Sequence, residues 1–173
     1  MKNNNWIIKA FLMTFFIAII FSSISNVIVD NCDSLILLIL LALLFVIIGI
    51  VFDIIGTAVL SANESTFHAK STKKINGSKE GVYLIKNSNM IASVCNDVIG
   101  DICGIVSGSI GAMIGIYISL RFNVSSILST LIVSSIISSL TVGGKAIGKT
   151  IAIKNADTII FAVAKVLSKF KKK

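Results

Sequence analysis

The chain has 173 residues, no proline and a mean hydropathy of +0.95; 55% of its residues are hydrophobic and only 14% are charged. A soluble domain of this length lacks the polar surface to cover so much apolar side chain, so the composition excludes an ordinary soluble globular protein. The net charge of +8 does not indicate a nucleic-acid partner, because the lysines lie in short segments between apolar runs rather than among aromatic residues.

The first predicted element is the apolar segment 11–29, which follows Lys2 and Lys9. A transmembrane helix needs about 20 apolar residues, and Trp6 is suited to anchor one at the membrane interface. The small residues on either side of Ile24 also suit a signal-peptidase site. Cleavage of this segment as a signal peptide therefore stays open as the alternative to a first membrane span.

Three further apolar segments follow, at 35–60, within 91–120 and at 124–142. The connections 30–34 and 121–123 are short, which favours antiparallel helical hairpins. We therefore predict an all-α, polytopic membrane protein of four transmembrane helices, with juxtamembrane helices and a C-terminal amphipathic helix.

Two segments outside the spans carry helical signals. The central loop 61–90 contains apolar residues that predict a helix near the membrane face, namely Val82, Leu84, Ile85 and Met90. Asn76 and Gly77 separate this helix from an earlier one. The tail 145–173 contains an apolar stripe at helical spacing, made of Ile159, Ile160, Val163, Val166, Leu167 and Phe170. The stripe predicts an amphipathic helix that lies on the anionic inner leaflet or against the helix bundle.

The placement of the lysines predicts the orientation in the membrane. Every lysine lies in the N-terminal arm, the central loop or the tail, whereas the opposite loops hold Arg121 as their basic residue. Basic residues are enriched on the cytoplasmic side of membrane proteins. We therefore expect both termini and the central loop in the cytoplasm of a cell with a bacterial-type plasma membrane.

Small and hydroxyl-bearing residues predict how the spans pack. Gly100, Gly104 and Gly108 recur at four-residue spacing and are followed by Gly111 and Gly115, a pattern that lets helix backbones approach closely. The fourth span is rich in serine: Ser125, Ser126, Ser129, Ser134, Ser135, Ser138 and Ser139. These hydroxyls have three possible roles. They can form hydrogen bonds across helices, form hydrogen bonds to carbonyls one turn earlier, or line a polar path.

Ionisable residues inside the spans are the candidate functional site. Asp53, Asp97 and Asp101 lie within or at the edge of apolar spans, where a charge needs a partner. At 1.5 Å per residue, Asp53 and Asp101 lie roughly 27 and 28 Å from the far ends of their spans, near the cytoplasmic edge of a core about 30 Å thick. With Asn96 they supply hard oxygen ligands suited to Mg²⁺. Lys145, at the same level, favours the alternative of an internal charge network without metal.

No catalytic arrangement is visible in the sequence. His68 is the single histidine, and none of the cysteines forms a CxxC pair; they are Cys32, Cys95 and Cys103. These features predict reduced, buried thiols and no zinc site. We therefore predict that the protein is not an enzyme and that Mg²⁺ is the one candidate ligand among metals and cofactors.

Three short blocks of residues are informative through their order and spacing. They are Phe-Asp-Ile-Ile-Gly-Thr-Ala at 52–58, Cys-Asn-Asp at 95–97 and Gly-Lys-Ala-Ile-Gly-Lys-Thr at 144–150. In order and spacing they resemble the membrane domain of the CorB/CorC and cyclin M family of magnesium and cobalt transporters. There, the first block ends in Glu-Thr-Ala, the second reads Gly-Asn-Asn or Gly-Asn-Thr, and the third reads Gly-Glu, two apolar residues, then Pro-Lys-Thr.

The resemblance implies a CorB/CorC-like membrane domain over 35–173, with 1–34 as an N-terminal arm and additional helix. It also implies a homodimer that moves a divalent cation, with Asn96 as a ligand. Asp53 stands at a serine position of the family, and Lys145 stands at its central glutamate, where an ammonium repels a cation and acts as a gate or charge partner. The alternative is a non-transporting membrane scaffold or regulatory subunit in which the aspartates pair with Lys145.

Overall fold

The computed structural model describes residues 4–30, 34–72 and 75–171, with side chains for 8–27, 34–72 and 75–170. These residues form helices, and no strand occurs among them. In chain order the helices are α1 (Asn4–Asp30), α2 (Leu35–Ser61), α3 (Glu64–Thr72), α4 (Ser78–Lys86), α5 (Ser88–Ser93), the π-helical segment Val94–Gly100, α6 (Asp101–Phe122), α7 (Ser126–Lys154) and α8 (Ala156–Lys171). The predicted all-α class is confirmed.

Four helical stretches are long and apolar enough to cross a membrane: Ile8–Val27, Leu35–Ser61, Ser88–Phe122 and Ser126–Lys154. They coincide with the four predicted spans. The helix that contains the last span continues beyond residue 142, through Gly143 and Gly144 to Lys154. Glycine costs a helix only about 1 kcal/mol, and Gly144 lies against the side chain of Ile50, where a β-carbon does not fit.

The chain divides into two compact units, of which the first comprises Met1–Ile50 and Val98–Gly144. Its core is aliphatic and aromatic, with Leu38, Leu41, Phe45, Val46, Val98, Ile102, Val106, Ile110, Ile114 and Ile137 buried in one cluster. Gly115 allows α6 to approach α7, because a β-carbon there would lie 2.5 Å from the Cα of Thr130. Gly111 similarly accommodates the side chain of Ile137.

The predicted glycine contacts are found in only part of the stripe. A β-carbon on Gly104 or Gly108 would meet no heavy atom within 4 Å among the described residues, so neither glycine mediates a close helix contact there. Gly111 and Gly115, further along α6, do lie against α7. Because a helix completes nearly two turns in seven residues, both pairs lie on almost the same face of α6, and the position along the helix decides which pair meets α7.

Several hydroxyls of α6 and α7 bond within their own helix. On α7, Ser129 Oγ donates to the carbonyl of Ser125 at 3.1 Å and Thr141 Oγ1 donates to that of Ile137 at 2.8 Å. On α6, Ser107 Oγ donates to Gly104 O at 3.0 Å. Of the three roles open from the sequence, these contacts support bonding to carbonyls one turn earlier, which satisfies a hydroxyl without a partner helix.

The second unit comprises Val51–Asp97 and Lys145–Lys173. Its core combines the end of α2 with α3, α4, α5, the end of α7 and α8. It contains Ala58, Val59, Phe67, Leu84, Ala92, Ala152, Ala156, Ile160 and Ala164. Phe67 is fully buried, and its ring lies against Gly81 of α4. The backbone amide of Asn63 donates to Asp157 Oδ1 at 2.8 Å, which ties the start of α3 to the start of α8.

The predicted break in the central loop is confirmed. Gly77 has a φ of 89°, the left-handed region that favours glycine, and it directly precedes α4. The helix after the break is shorter than predicted, because α4 ends at Lys86 and Met90 belongs to α5. Asn87 separates the two helices, and its Nδ2 donates to the carbonyl of Tyr83 at 2.9 Å.

The predicted amphipathic tail helix is confirmed as α8. Ile160 and Ala164 are fully buried in the second unit, and Ile159 and Val163 are partly buried beside them. Gly77 lies next to the backbone of Lys165, which brings α8 into close contact with the start of α4. The C-terminal part of the apolar stripe is different, since Val166, Leu167 and Phe170 are exposed.

Candidate functional site

Asp53 is the most deeply buried acid among the described side chains. It lies on α2 within the second unit and is only 3% exposed. The Nζ atom of Lys149, on α7, lies 3.9 Å from Asp53 Oδ2, and the Lys149 side chain is 52% exposed. The pair therefore joins a buried carboxylate to the ammonium of a lysine whose side chain is about half exposed to solvent. Such a lysine can leave the carboxylate without being trapped in the interior.

Asn96 approaches the same helix one turn further on. A β-carbon on Gly56 would collide with the side-chain oxygen of Asn96, so the amide lies directly on the α2 backbone at this point. Gly56 follows Asp53 by three residues and therefore shares its helix face. Asn96 Oδ1 is buried and accepts no hydrogen bond from the described residues.

The π-helical segment positions Asn96. Residues Val94–Gly100 form this segment between α5 and α6, where an extra residue per turn changes which side chains face α2. As a result Asn96 directs its oxygen inward, while the neighbouring Asp97 is exposed and accepts a hydrogen bond from Ser93 Oγ at 2.8 Å. Single-turn π segments occur frequently at functional sites, because they redirect side chains in this way.

The remaining predicted residues take different positions. Lys145 lies in the second unit and is partly exposed, one helical turn before Lys149 on the same face of α7. Asp101 is the first residue of α6; it belongs to the first unit and is exposed. The sequence analysis named Lys145 as the charge partner and did not single out Lys149, which follows Lys145 by four residues and shares its helix face.

The donor set is made of hard oxygens. Within residues 4–30, 34–72 and 75–171, no group of three or more His, Cys, Asp or Glu side chains is arranged to hold a metal ion. The second unit nevertheless holds two such oxygens at α2. The carboxylate belongs to Asp53 of this helix, and the amide oxygen belongs to Asn96, which contacts the helix one turn further on, at Gly56. Carboxylate and amide oxygens are the ligands that Mg²⁺ and Ca²⁺ prefer, with water completing the shell of Mg²⁺.

Fold and site together define an all-α, multi-pass membrane protein with a buried acid and a buried amide oxygen in its second unit. No protein-family model matches the chain. No curated protein and no solved structure matches it either.

Proposed function

We propose that this membrane protein binds and passes a divalent cation, with Mg²⁺ as the preferred ion, at a site built on Asp53 and Asn96. The observation that carries the proposal is the buried Asn96 Oδ1, which accepts no hydrogen bond from the described residues. A buried polar atom without a hydrogen bond lowers the stability of the fold by about 1–3 kcal/mol. A bound ion or its hydration water recovers that free energy.

Lys149 supplies the second part of the mechanism. Its ammonium lies by the Asp53 carboxylate and balances that charge when no ion is bound. An arriving Mg²⁺ competes with the ammonium for the carboxylate, and the exposed stem of Lys149 lets the ammonium move to water. Lys149 then acts as an internal counter-ion that keeps the empty site neutral. Lys145, one turn earlier, is in position to repel an ion that leaves along α7.

The resemblance to the CorB/CorC and cyclin M membrane domain supports the same proposal. Asn96 keeps the ligand type of that family, and α3 and α4 follow the first of three spans as the family's juxtamembrane helices do. Under this proposal the exposed carboxylate of Asp97 attracts the hydrated ion towards the site, and the functional assembly is a homodimer. The lysine distribution favours the cytoplasm for both termini and for 61–90, in a bacterial-type plasma membrane.

The test is cation flux through the purified full-length chain in liposomes that enclose a Mg²⁺-sensitive dye. Wild type is expected to admit Mg²⁺, and Asp53→Asn is expected to reduce the initial rate at least about tenfold, because one lost charge–ligand contact is worth more than about 1.4 kcal/mol. Asn96→Ala should have a smaller effect in the same direction. Glu80→Gln is the matched control, since it removes a carboxylate from α4 outside the proposed site.

Equal flux in wild type, Asp53→Asn and empty liposomes would contradict the proposal. Binding is measured separately as a Mg²⁺-dependent rise of the melting temperature of the detergent-solubilised protein. A rise that is identical in wild type and Asp53→Asn assigns the ion to another place and equally removes the site from consideration.

The ion pair between Asp53 and Lys149 favours one second candidate, a membrane scaffold or regulatory subunit without transport. In that case the ion pair is a permanent structural feature and no cation replaces Lys149. The variant Lys149→Gln distinguishes the two. A cation site gains Mg²⁺ affinity when its internal competitor is removed, whereas a structural pair only loses stability and stays insensitive to Mg²⁺.

A further inference from the structure

Helices α4 and α8 of the second unit expose apolar and basic side chains side by side. On α4, Lys79, Tyr83 and Lys86 recur at i, i+4 and i+7 and are all exposed. Leu167 and Phe170 of α8 are exposed as well, and together with Lys79, Glu80 and Tyr83 they line a groove of about 410 Å³. We call the surface formed by Lys79, Tyr83, Lys86, Leu167 and Phe170 the α4–α8 face.

The α4–α8 face is unusually apolar for a surface in contact with water. Tyr83 is 61% exposed, Leu167 42% and Phe170 77%. The apolar stripe of α8 is buried at Ile160 and Ala164, but α4 no longer covers it at its C-terminal end. Contiguous exposed apolar side chains of this kind, rimmed by charges, mark an interaction surface.

The charges around the α4–α8 face are mostly positive. The residues of α4 and α8 carry a net charge of +3, and the sequence continues after Lys171 with two more lysines. Aromatic and aliphatic side chains flanked by lysines are typical of helices at the interface of an anionic bilayer, where the lysine stems lie along apolar surface and the ammonium groups reach phosphates. Tyr83 fits the same boundary, because its ring is apolar and its hydroxyl is polar.

We propose that the α4–α8 face binds the surface of a bilayer that contains anionic phospholipid. Tyr83, Leu167 and Phe170 insert at the boundary between headgroups and acyl chains, and Lys79 and Lys86 contact headgroup phosphates. Glu80 also lines the groove, and its carboxylate repels phosphate. The phosphates are therefore bound by the outer lysines, and the groove itself takes the apolar part of the lipid.

A second copy of the chain fits this face less well. A two-fold interface brings the same patch of both copies together, so the lysines of one copy would lie near the lysine-rich patch of the other. Like charges in contact oppose association, whereas a layer of phosphates neutralises them. Charge complementarity thus favours the lipid surface.

The test places a fluorescent reporter in the α4–α8 face of the full-length chain. Phe170→Trp is introduced into a Trp6→Phe background, so that the new tryptophan is the single one, and the protein is reconstituted in nanodiscs. Brominated acyl chains quench tryptophan on contact. We expect quenching by brominated phosphatidylglycerol to exceed that by the same fraction of brominated phosphatidylcholine at least about twofold, because each lysine near an anionic surface attracts it severalfold.

Two lysine variants separate the headgroup contact from general charge. Adding Lys79→Gln and Lys86→Gln should bring the ratio of the two quenching efficiencies close to one. Lys154→Gln, at the end of α7, is the matched control and should leave the ratio unchanged. Tyr83→Trp is the second reporter if Phe170→Trp does not fold.

Three outcomes overturn the proposal. The first is a reporter that neither lipid quenches. The second is equal quenching by both lipids in the parent protein. The third is dipolar coupling between spin labels at Phe170→Cys on two copies, which assigns the face to self-association. None of these readouts depends on Mg²⁺, so a failure of the proposal for the α4–α8 face can be distinguished from a failure of the proposed cation site.

Discussion

Gly56 of α2 and Asn96 of the π-helical segment are in such close contact that no β-carbon fits between them. This contact places the Asn96 side chain against the helix that carries Asp53. Asn96 Oδ1 is buried without a hydrogen bond from the described residues, so under the proposed function the position of this side chain decides whether an ion finds two oxygens or one.

Gly56→Ala is expected to lower stability and to weaken Mg²⁺ binding together. The added methyl group must displace the Asn96 amide or separate the helices, and overpacking of this kind costs about 1–3 kcal/mol. The melting temperature in mild detergent, with and without Mg²⁺, measures both effects. Gly104→Ala is the control, since a β-carbon there meets no described atom and alanine favours a helix over glycine. Equal behaviour of the two variants would show that the Gly56 contact is not formed.

Asp53 and Lys149 are expected to be energetically coupled. Removing the ammonium in Lys149→Met leaves the buried carboxylate without this counter-charge, so we expect a larger loss of stability than in the double variant with Asp53→Asn. A double-mutant cycle should give a coupling of about 1 kcal/mol, a usual size for contacting residues. Lys149→Arg, which keeps the charge, should recover part of the stability. Strict additivity of the two single substitutions would argue against the ion pair.

Gly77→Ala should destabilise the junction between α3 and α4. The residue has a positive φ, which costs a non-glycine residue about 1–2 kcal/mol, and a β-carbon there would lie 3.0 Å from backbone atoms of Lys165. We expect faster limited proteolysis at this junction and a lower melting temperature. Gly143→Ala provides the comparison, because its surroundings are open and its helix gains from alanine. An unchanged cleavage rate in Gly77→Ala would refute the left-handed conformation.

The predicted orientation is tested by labelling single cysteines. The background replaces the native thiols with alanine at Cys32, Cys95 and Cys103. Glu64→Cys and Lys169→Cys should react with an impermeant maleimide from the cytoplasmic side, and Arg121→Cys should react from the opposite side, because one membrane span separates 61–90 from 121–123. Right-side-out and inverted vesicles give the two measurements. Labelling of Glu64→Cys and Arg121→Cys from the same side contradicts the arrangement of spans.

Much of the fold was predictable because its signals are local. Long apolar runs identify the spans, and backbone groups in lipid must be satisfied within a segment, so the runs become helices. Asn76 and Gly77 marked the start of α4, and the apolar stripe through Ile160 and Val163 marked α8. The continuation of α7 to Lys154 was not predicted, because hydropathy marks the apolar segment and not the more polar part of the same helix that follows it.

The sequence by itself determined which segments are helices, which can cross a membrane and which residues carry charge into the spans. Tertiary structure alone decided that Lys149 lies beside Asp53, that Gly115 rather than Gly104 meets α7, and that Asn96 faces Gly56. The physical reason is that hydropathy and periodicity are properties of one helix, whereas a contact depends on how each helix is rotated about its axis and where it lies along its neighbour. Each residue turns the helix by about 100°, so the added residue in the π-helical segment changes which side chains meet.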